Sequence, residues 1–344
     1  MSWHLGRTWS SWSWVQAGLR GCPAIRSVKS SLGGIEATKK SSLGGIEATN
    51  ADSRAVSVGY MGRDPSLEAS AELRRLAEGH GWLLDEWARS EDGVWVVDGG
   101  YPSSVYEPGL QAALDEVVES SWWYLIRNSL LVDYIHRFGT PRAMWEVGSG
   151  TGIVAEALTS AGISTVAIEP SRVGARAGAT RGLTSIASTL EDLHLPTKSL
   201  PAIGLFDVLE HLQEPEELLT ECHRVLERLG LLYLSVPAFS WLWSRADDLA
   251  GHKRRYTKKT LTKLLRDCGF EVHNCSYSLA TLIAPMAIFR SLPWRLGYRS
   301  DEKVIVKQLG YLPEAIARSI LCVERRLVGF VPVGTSLFAS VSPL

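Results

Sequence analysis

The chain has 344 residues, with 36 basic against 37 acidic side chains, 45% apolar and 21% charged residues. That composition gives a soluble globular core with no global charge field, so attraction to nucleic acid or a lipid surface must be local. The five cysteines, Cys22, Cys222, Cys268, Cys275 and Cys322, lack paired short spacing, which excludes a zinc framework or a disulfide scaffold and suits a reducing compartment.

The first fifty residues are unlike the rest. They hold Trp3, Trp9, Trp12 and Trp14, many serines, and no acid before Glu36. Residues 29–38 and 40–49 both read KSSLGGIEAT. Two short copies are too few for a stacked-repeat fold, so residues 1–55 read as a disordered leader with a duplication; an organelle-targeting segment is the alternative. Met61 opens a more ordinary globular stretch and is a second candidate start. Residues 56–118 read as an extension or cap, with a helix over 65–79 and a strand over 94–97 before a turn at Asp98, Gly99 and Gly100. Helix is expected in at least two pieces over 110–138.

Beyond Pro141, strands and helices alternate, which points to an α/β fold with a mostly parallel sheet covered on both faces. Residues 143–147 form a buried strand entering a glycine loop. A helix follows with Ile153, Val154, Ala157, Leu158 and Ala161 inward and Gly162 at its end. Residues 165–168 form the second strand, Ile186 and Ala187 mark the third, and 205–209 a later one. Pro215, Glu216 and Glu217 open a helix whose inward stripe runs Leu218, Leu219, Cys222, Val225, Leu226 and Leu229, with Gly230 closing it. A strand over 231–236 comes next, then a helix capped by Thr257 with Leu261, Leu264, Leu265 and Cys268 inward.

The chemistry concentrates around Glu146, Gly148, Ser149, Gly150 and Gly152. A loop bare of side chains between a first strand and a first helix lets a ligand approach the backbone. A dinucleotide fingerprint would place a third glycine where Ile153 stands, which weakens a nicotinamide reading. Glu169, ending the second strand, can accept hydrogen bonds from both hydroxyls of a ribose. Asp192, after the third strand, can accept from an adenine amino group.

These residues carry a resemblance. The segment 121–337 resembles the class I S-adenosylmethionine-dependent methyltransferases, type-11/type-23. It does so through Trp122-Trp123-Tyr124, the glycine loop, Val166-Ala167-Ile168-Glu169-Pro170-Ser171, and Phe206-Asp207-Val208-Leu209-Glu210-His211. Arg224-Val225-Leu226, Ser235-Val236-Pro237 and Gly251-His252-Lys253-Arg254-Arg255-Tyr256-Thr257 extend it. The resemblance implies a Rossmann-like seven-stranded sheet, a methyltransferase domain over 119–278, and C-terminal elements over 279–344 that complete the sheet and acceptor pocket. It also implies S-adenosylmethionine held by Glu146, Gly148, Ser149, Gly150, Gly152, Glu169, Asp192 and Asp207. The departures are Ser149, Leu200-Pro201 where relatives start a strand with Phe-Asp, and Leu229-Gly230 for a double glycine; Pro201 weakens the start of its strand.

Methyl transfer needs alignment more than proton chemistry. Asp207, Glu210 and His211 are the catalytic candidates, with His211 as base for an acceptor hydroxyl or, the commoner role for such a histidine, a pocket-shaping residue. A metal reading of Asp207, Glu210 and His211 is weak, and no metal is assigned. Residues 245–266 carry eight basic residues and two acids, and within them His252, Arg255 and Tyr256 are candidates for binding the acceptor. Nucleic acid is not expected, because aromatics are sparse there. The apolar stretch 279–289, followed by Arg290 and Trp294-Arg295, either packs or rests on a membrane, and is too short to span one. The expectation is a cytoplasmic enzyme, with the option of peripheral membrane contact, methylating a small or lipid-linked acceptor at oxygen. A non-catalytic cofactor-binding protein and a nicotinamide oxidoreductase are the rivals.

Overall fold

A computed structural model describes residues 87–97, 121–298 and 314–344. The expected leader, the helix over 65–79 and the first part of the helix over 110–138 lie outside the described residues.

Among the described residues the sheet has nine strands. In chain order they are β1 (Trp87–Arg89), β2 (Trp95–Val97), β3 (Ala143–Val147), β4 (Ser164–Ile168), β5 (Thr184–Ile186), β6 (Leu200–Phe206), β7 (Leu226–Pro237), β8 (Phe270–Ser278) and β9 (Ser336–Pro343). Their spatial order is β1-β2-β5-β4-β3-β6-β7-β9-β8. The seven strands β3 to β9 match the expected sheet, parallel except for β9, which is antiparallel to both β7 and β8. The hairpin β1–β2 extends that sheet: Trp95 pairs with Ile186 of β5, and the Ala187 amide donates to the Trp95 carbonyl at 2.9 Å.

The chain order explains where a ligand can sit. From β3 it winds outward through β4 to β5, then jumps back to β6 on the other side of β3. Loops leaving β3 and β6 therefore diverge, and they open a crevice at the C-terminal ends of those strands.

The helices are α1 (Trp122–Phe138), α2 (Ile153–Ser160), α3 (Arg172–Thr180), α4 (Pro215–Val225), α5 (Arg245–Leu249), α6 (Lys258–Asp267) and, near the C-terminus, α7 (Glu314–Leu327); short helical turns fill 280–295. Strand alternation sorts the core into two layers. Met144, Phe206, Tyr233 and Phe338 face one way, against Ile126, Leu130, Tyr134 and Ile135 of α1 and Val154 and Leu158 of α2. Trp145, Val147, Ile203, Leu205, Leu232 and Leu234 face the other, against Leu218, Leu219 and Cys222 of α4 and Leu261 and Leu265 of α6. Strands β3 and β4 are buried at every position, as a parallel sheet covered on both faces requires.

Two expectations needed correction. The helix from Pro215 ends at Val225, well short of Gly230, and Leu229 is 90% exposed. Here the neighbouring strand competes: the Lys198 and Ser199 amides take the carbonyls of Arg224 and Val225, and Leu226 pairs with Leu200, turning the backbone extended. Pro201, in turn, does not delay its strand. The register between β6 and β7 shifts between Leu200 and Ala202, and β3 pairs with β6 only from Ile203 onward, so no ladder bond is asked of the missing N–H. Thr257 caps α6 as expected, its hydroxyl accepting from the Thr260 amide at 3.2 Å, and Gly162 ends α2 with φ of 86°.

Candidate active site

The loop after β3 carries three glycines in the left-handed region, Gly148, Gly150 and Gly152, with φ of 74°, 56° and 80°. They serve different ends. A Cβ on Gly148 would fall 2.8 Å from Val208, and one on Gly152 would fall 2.7 Å from Leu183 and 3.0 Å from the Gly178 backbone. Those two let the loop pack on β6 and α3. Around Gly150 nothing lies within 4 Å of the added atom. That face of the loop is open, the condition for a ligand to approach the backbone.

Glu169 reaches across from β4. Its Oε2 accepts from the Gly150 amide at 2.7 Å and its Oε1 from the Ser171 amide at 2.8 Å. A carboxylate has about four acceptor directions, so two remain for hydroxyls. Burial raises its pKa to about 7 against the pull of those two amides. Glu146, one strand over, is 1% exposed with Oε2 unpartnered, and burial raises it to about 8 although Arg127 opposes the shift. The Ser149 amide donates to the Ile168 carbonyl at 3.0 Å, tying the loop to β4. Asp192 stands exposed on the turn after β5, its amide donating to the Thr189 hydroxyl at 3.1 Å.

Asp207 ends β6 in a left-handed conformation, φ 58°, which a non-glycine residue holds only when its surroundings fix it. They do so here. Arg127 donates to its Oδ2 at 2.5 Å and the Ser235 hydroxyl to its Oδ1 at 2.9 Å, while Arg127 also donates to Ser235 at 2.7 Å. Arg127, 2% exposed, therefore joins α1 to β6 and β7 behind the loop. It was not among the sequence candidates; its signal was the aromatic Trp122-Trp123-Tyr124 segment just before it, with its own guanidinium 6.0 Å from the Trp123 ring.

Glu210 and His211 follow on the same turn. Glu210 is fully buried, neither oxygen finds a donor beyond its own amide, and burial pushes its pKa well above the ordinary range, with Asp207 adding to the rise. His211 lies 4.9 Å ring to ring from His252. Burial, then His252, lower its pKa to about 4, so it is neutral at physiological pH.

The segment after β7 straps over this turn. Lys253 donates its amide to the Glu210 carbonyl at 2.7 Å, Tyr256 its hydroxyl to the Leu209 carbonyl at 3.2 Å, and Arg254 its guanidinium to the Gln213 carbonyl at 2.6 Å. Asp247 organises the strap: it accepts from His252 Nδ1 at 2.9 Å and from Arg255 at 2.7 and 2.9 Å. Burial would raise its pKa, but those hydrogen bonds hold it at about 2. Of the residues expected to bind an acceptor, Arg255 and Tyr256 are buried and spend their polar groups inside the protein, while His252 retains 16% of its side-chain surface. Sequence reasoning passed over Asp247, whose signal was an acid five positions before a histidine.

The family described as methyltransferase domain matches residues 123–274. A probable S-adenosylmethionine-dependent methyltransferase of Mycobacterium tuberculosis is 26% identical over 173 residues, 49% of this chain and 62% of the relative. The matched stretch is thus under two thirds of that relative's length. A second, from Mycolicibacterium smegmatis, is 26% identical over 191 residues, 52% of this chain and 70% of the relative. A solved S-adenosylmethionine-dependent methyltransferase from Thermotoga maritima aligns with TM-score 0.45 and 18% identity, covering 68% of this chain and 97% of its own. Residues 123–274 are thus similar to S-adenosylmethionine-dependent methyltransferases, and the strand order, the left-handed glycine loop and the strand-end carboxylate lie in and around that stretch.

Proposed function

We propose that this protein transfers the methyl group of S-adenosylmethionine to oxygen on a small or lipid-linked acceptor. The observation that carries the reading is the bare face of Gly150, beside Glu169, at the point where the strand order reverses. When bound, the cofactor supplies a methyl group already activated by its sulfonium. Glu146 and Glu169 hold it from the strand ends, with Asp192 reaching from the turn after β5. Asp207, fixed by Arg127 and Ser235, sets the wall on which the methyl end rests. Glu210 and His211 stand on the acceptor side. A neutral His211 offers a ring nitrogen to an acceptor hydroxyl, and its low pKa suits a brief proton acceptor better than a strong base. In the strap, Asp247, pinned by Arg255, holds the His252 ring on the acceptor side, and Tyr256 ties the strap to the Leu209 carbonyl.

A lipid-linked acceptor is favoured by one surface. Ile288, Phe289, Leu292 and Leu296 are 55%, 68%, 51% and 77% exposed, on the turns that also carry Arg290, Trp294 and Arg295. Exposed apolar side chains beside the exposed Arg295 suit the surface of an anionic bilayer. Among the described residues no helix is long and apolar enough to cross a membrane.

The test is a transfer assay with methyl-labelled S-adenosylmethionine against a lipid extract and a polar metabolite extract, with the labelled product identified by mass. Label on a hydroxyl-derived ether or ester supports the proposal. Cofactor binding with no turnover on either extract favours a non-catalytic binder, and tight NAD binding without adenosylmethionine affinity overturns the assignment.

A further inference from the structure

Glu210, His211 and His252 each place a ligand atom within 4.8 Å of the others. We propose that these three residues bind a divalent d-block cation such as Zn2+, with coordination positions left open toward the acceptor.

Three independent observations carry the proposal. The first is charge. Asp207 is answered by Arg127, and Asp247 by Arg255, each through direct hydrogen bonds. Glu210 alone among the carboxylates of this turn and strap has no counter-charge in contact, and it is fully buried with both oxygens unpartnered. A buried carboxyl group with neither oxygen hydrogen-bonded is costly in either protonation state until a ligand meets it. The second is orientation. Asp247 accepts from Nδ1 of His252, which fixes the ring's tautomer and leaves Nε2 as a lone-pair donor. A carboxylate behind a ligating histidine is the arrangement that holds such a ring on a metal, and Arg255 pins that carboxylate in turn. The third is rigidity. The Lys253 amide bonds the Glu210 carbonyl at 2.7 Å, so the strap bearing His252 is tied to the turn bearing the other two ligands.

The ligand set selects the cation. Two imidazoles and one carboxylate are too soft and too few for calcium or magnesium, and they match the three-ligand sites of zinc and its neighbours, which leave a position for water or substrate. Asp207 does not belong to the set, because its carboxylate is already engaged by Arg127 and Ser235. The cation site shares Glu210, His211 and His252 with the acceptor side of the proposed reaction: a bound cation takes the His211 ring nitrogen and itself meets the acceptor oxygen, and that use rests on the methyl-transfer reading.

The experiment uses the metal-stripped full chain, titrated with Co2+ and followed by its d–d absorption, and with Zn2+ in competition with a chromophoric chelator. The expected result is one site of micromolar affinity or better, with Zn2+ displacing Co2+ and raising the melting temperature. E210Q, which keeps the side chain's shape and removes its charge, should weaken binding by about 100-fold or more, and D247N by about 10–100-fold through the His252 ring. Melting curves of both variants without metal establish that they fold; if D247N does not, E210Q and H252A decide. Absence of Co2+ binding in the wild type overturns the proposal, and so does binding that E210Q and H252A leave unchanged, which would place the ion on other histidines or cysteines. Because each readout is binding, failure here leaves cofactor binding and methyl transfer untouched as separate questions.

Discussion

Replacing Gly150 by alanine separates the binding role of the loop from its folding role. The residue sits at φ 56°, and a Cβ there meets nothing within 4 Å. Folding then loses only the left-handed backbone penalty, about 1–2 kcal/mol. Gly152→Ala carries a similar penalty at φ 80°, but its new methyl also falls 2.7 Å from Leu183 and 3.0 Å from the Gly178 backbone. Overpacking of that kind adds about 1–3 kcal/mol. The two variants should therefore part company. In scanning calorimetry Gly150→Ala should melt a few degrees below wild type, and Gly152→Ala roughly twice as far below. In titration calorimetry with S-adenosylmethionine or its demethylated product, Gly150→Ala should lose about 100-fold in affinity, near 2.7 kcal/mol, because its methyl occupies the face that the ligand needs. An affinity within threefold of wild type would refute the loop's assignment, however the protein melts.

Other perturbations test the surrounding charges. Glu146 holds its proton to about pH 8 when folded but ionises near 4.5 when unfolded, so between those values the folded state binds more protons and stability falls as pH rises. Glu146→Gln should remove that slope, gaining about 3 kcal/mol over wild type between pH 5.5 and 8 in urea titrations; a difference independent of pH would reject the buried-proton account. Arg127→Met strands the Asp207 carboxylate beside a buried Glu210, and we expect a loss of about 3–5 kcal/mol in denaturant unfolding. A change below 1 kcal/mol would mean the ion pair does not anchor α1. Thr257→Ala removes one cap and should cost about 1 kcal/mol, with cofactor affinity unaltered in titration calorimetry. Serine at Phe289 and Leu296 should weaken sedimentation with anionic vesicles while leaving cofactor affinity intact; equal sedimentation would argue against the lipid-facing reading.

Much of this architecture could be read before any fold was known. Alternation of buried strands with amphipathic helices announces a parallel sheet, because only that pattern buries both faces of a strand and one face of a helix. The glycine loop and Glu169 were equally legible, since a left-handed backbone and a strand-end acid are local properties written at fixed spacing. Local signals failed where two segments compete for the same backbone. Leu226 and Leu229 continue a helical stripe from Pro215, yet Lys198 and Ser199, just ahead of β6, capture the carbonyls of Arg224 and Val225 and end the helix early. Pro201 looked like a strand breaker, and the register shift opposite β7 absorbed it.

The residues themselves fix the type of fold, the glycine loop and the acid at the second strand's end, because each depends on neighbours within a few positions. Only the folded chain assigns partners to the charges. It sets Arg127 of α1 against Asp207, turns Arg255 and Tyr256 inward, and folds the strap so that His252 meets His211 while Glu210 stays unanswered. Burial and pairing are sums over segments far apart along the backbone, and no spacing rule along one strand or helix contains them.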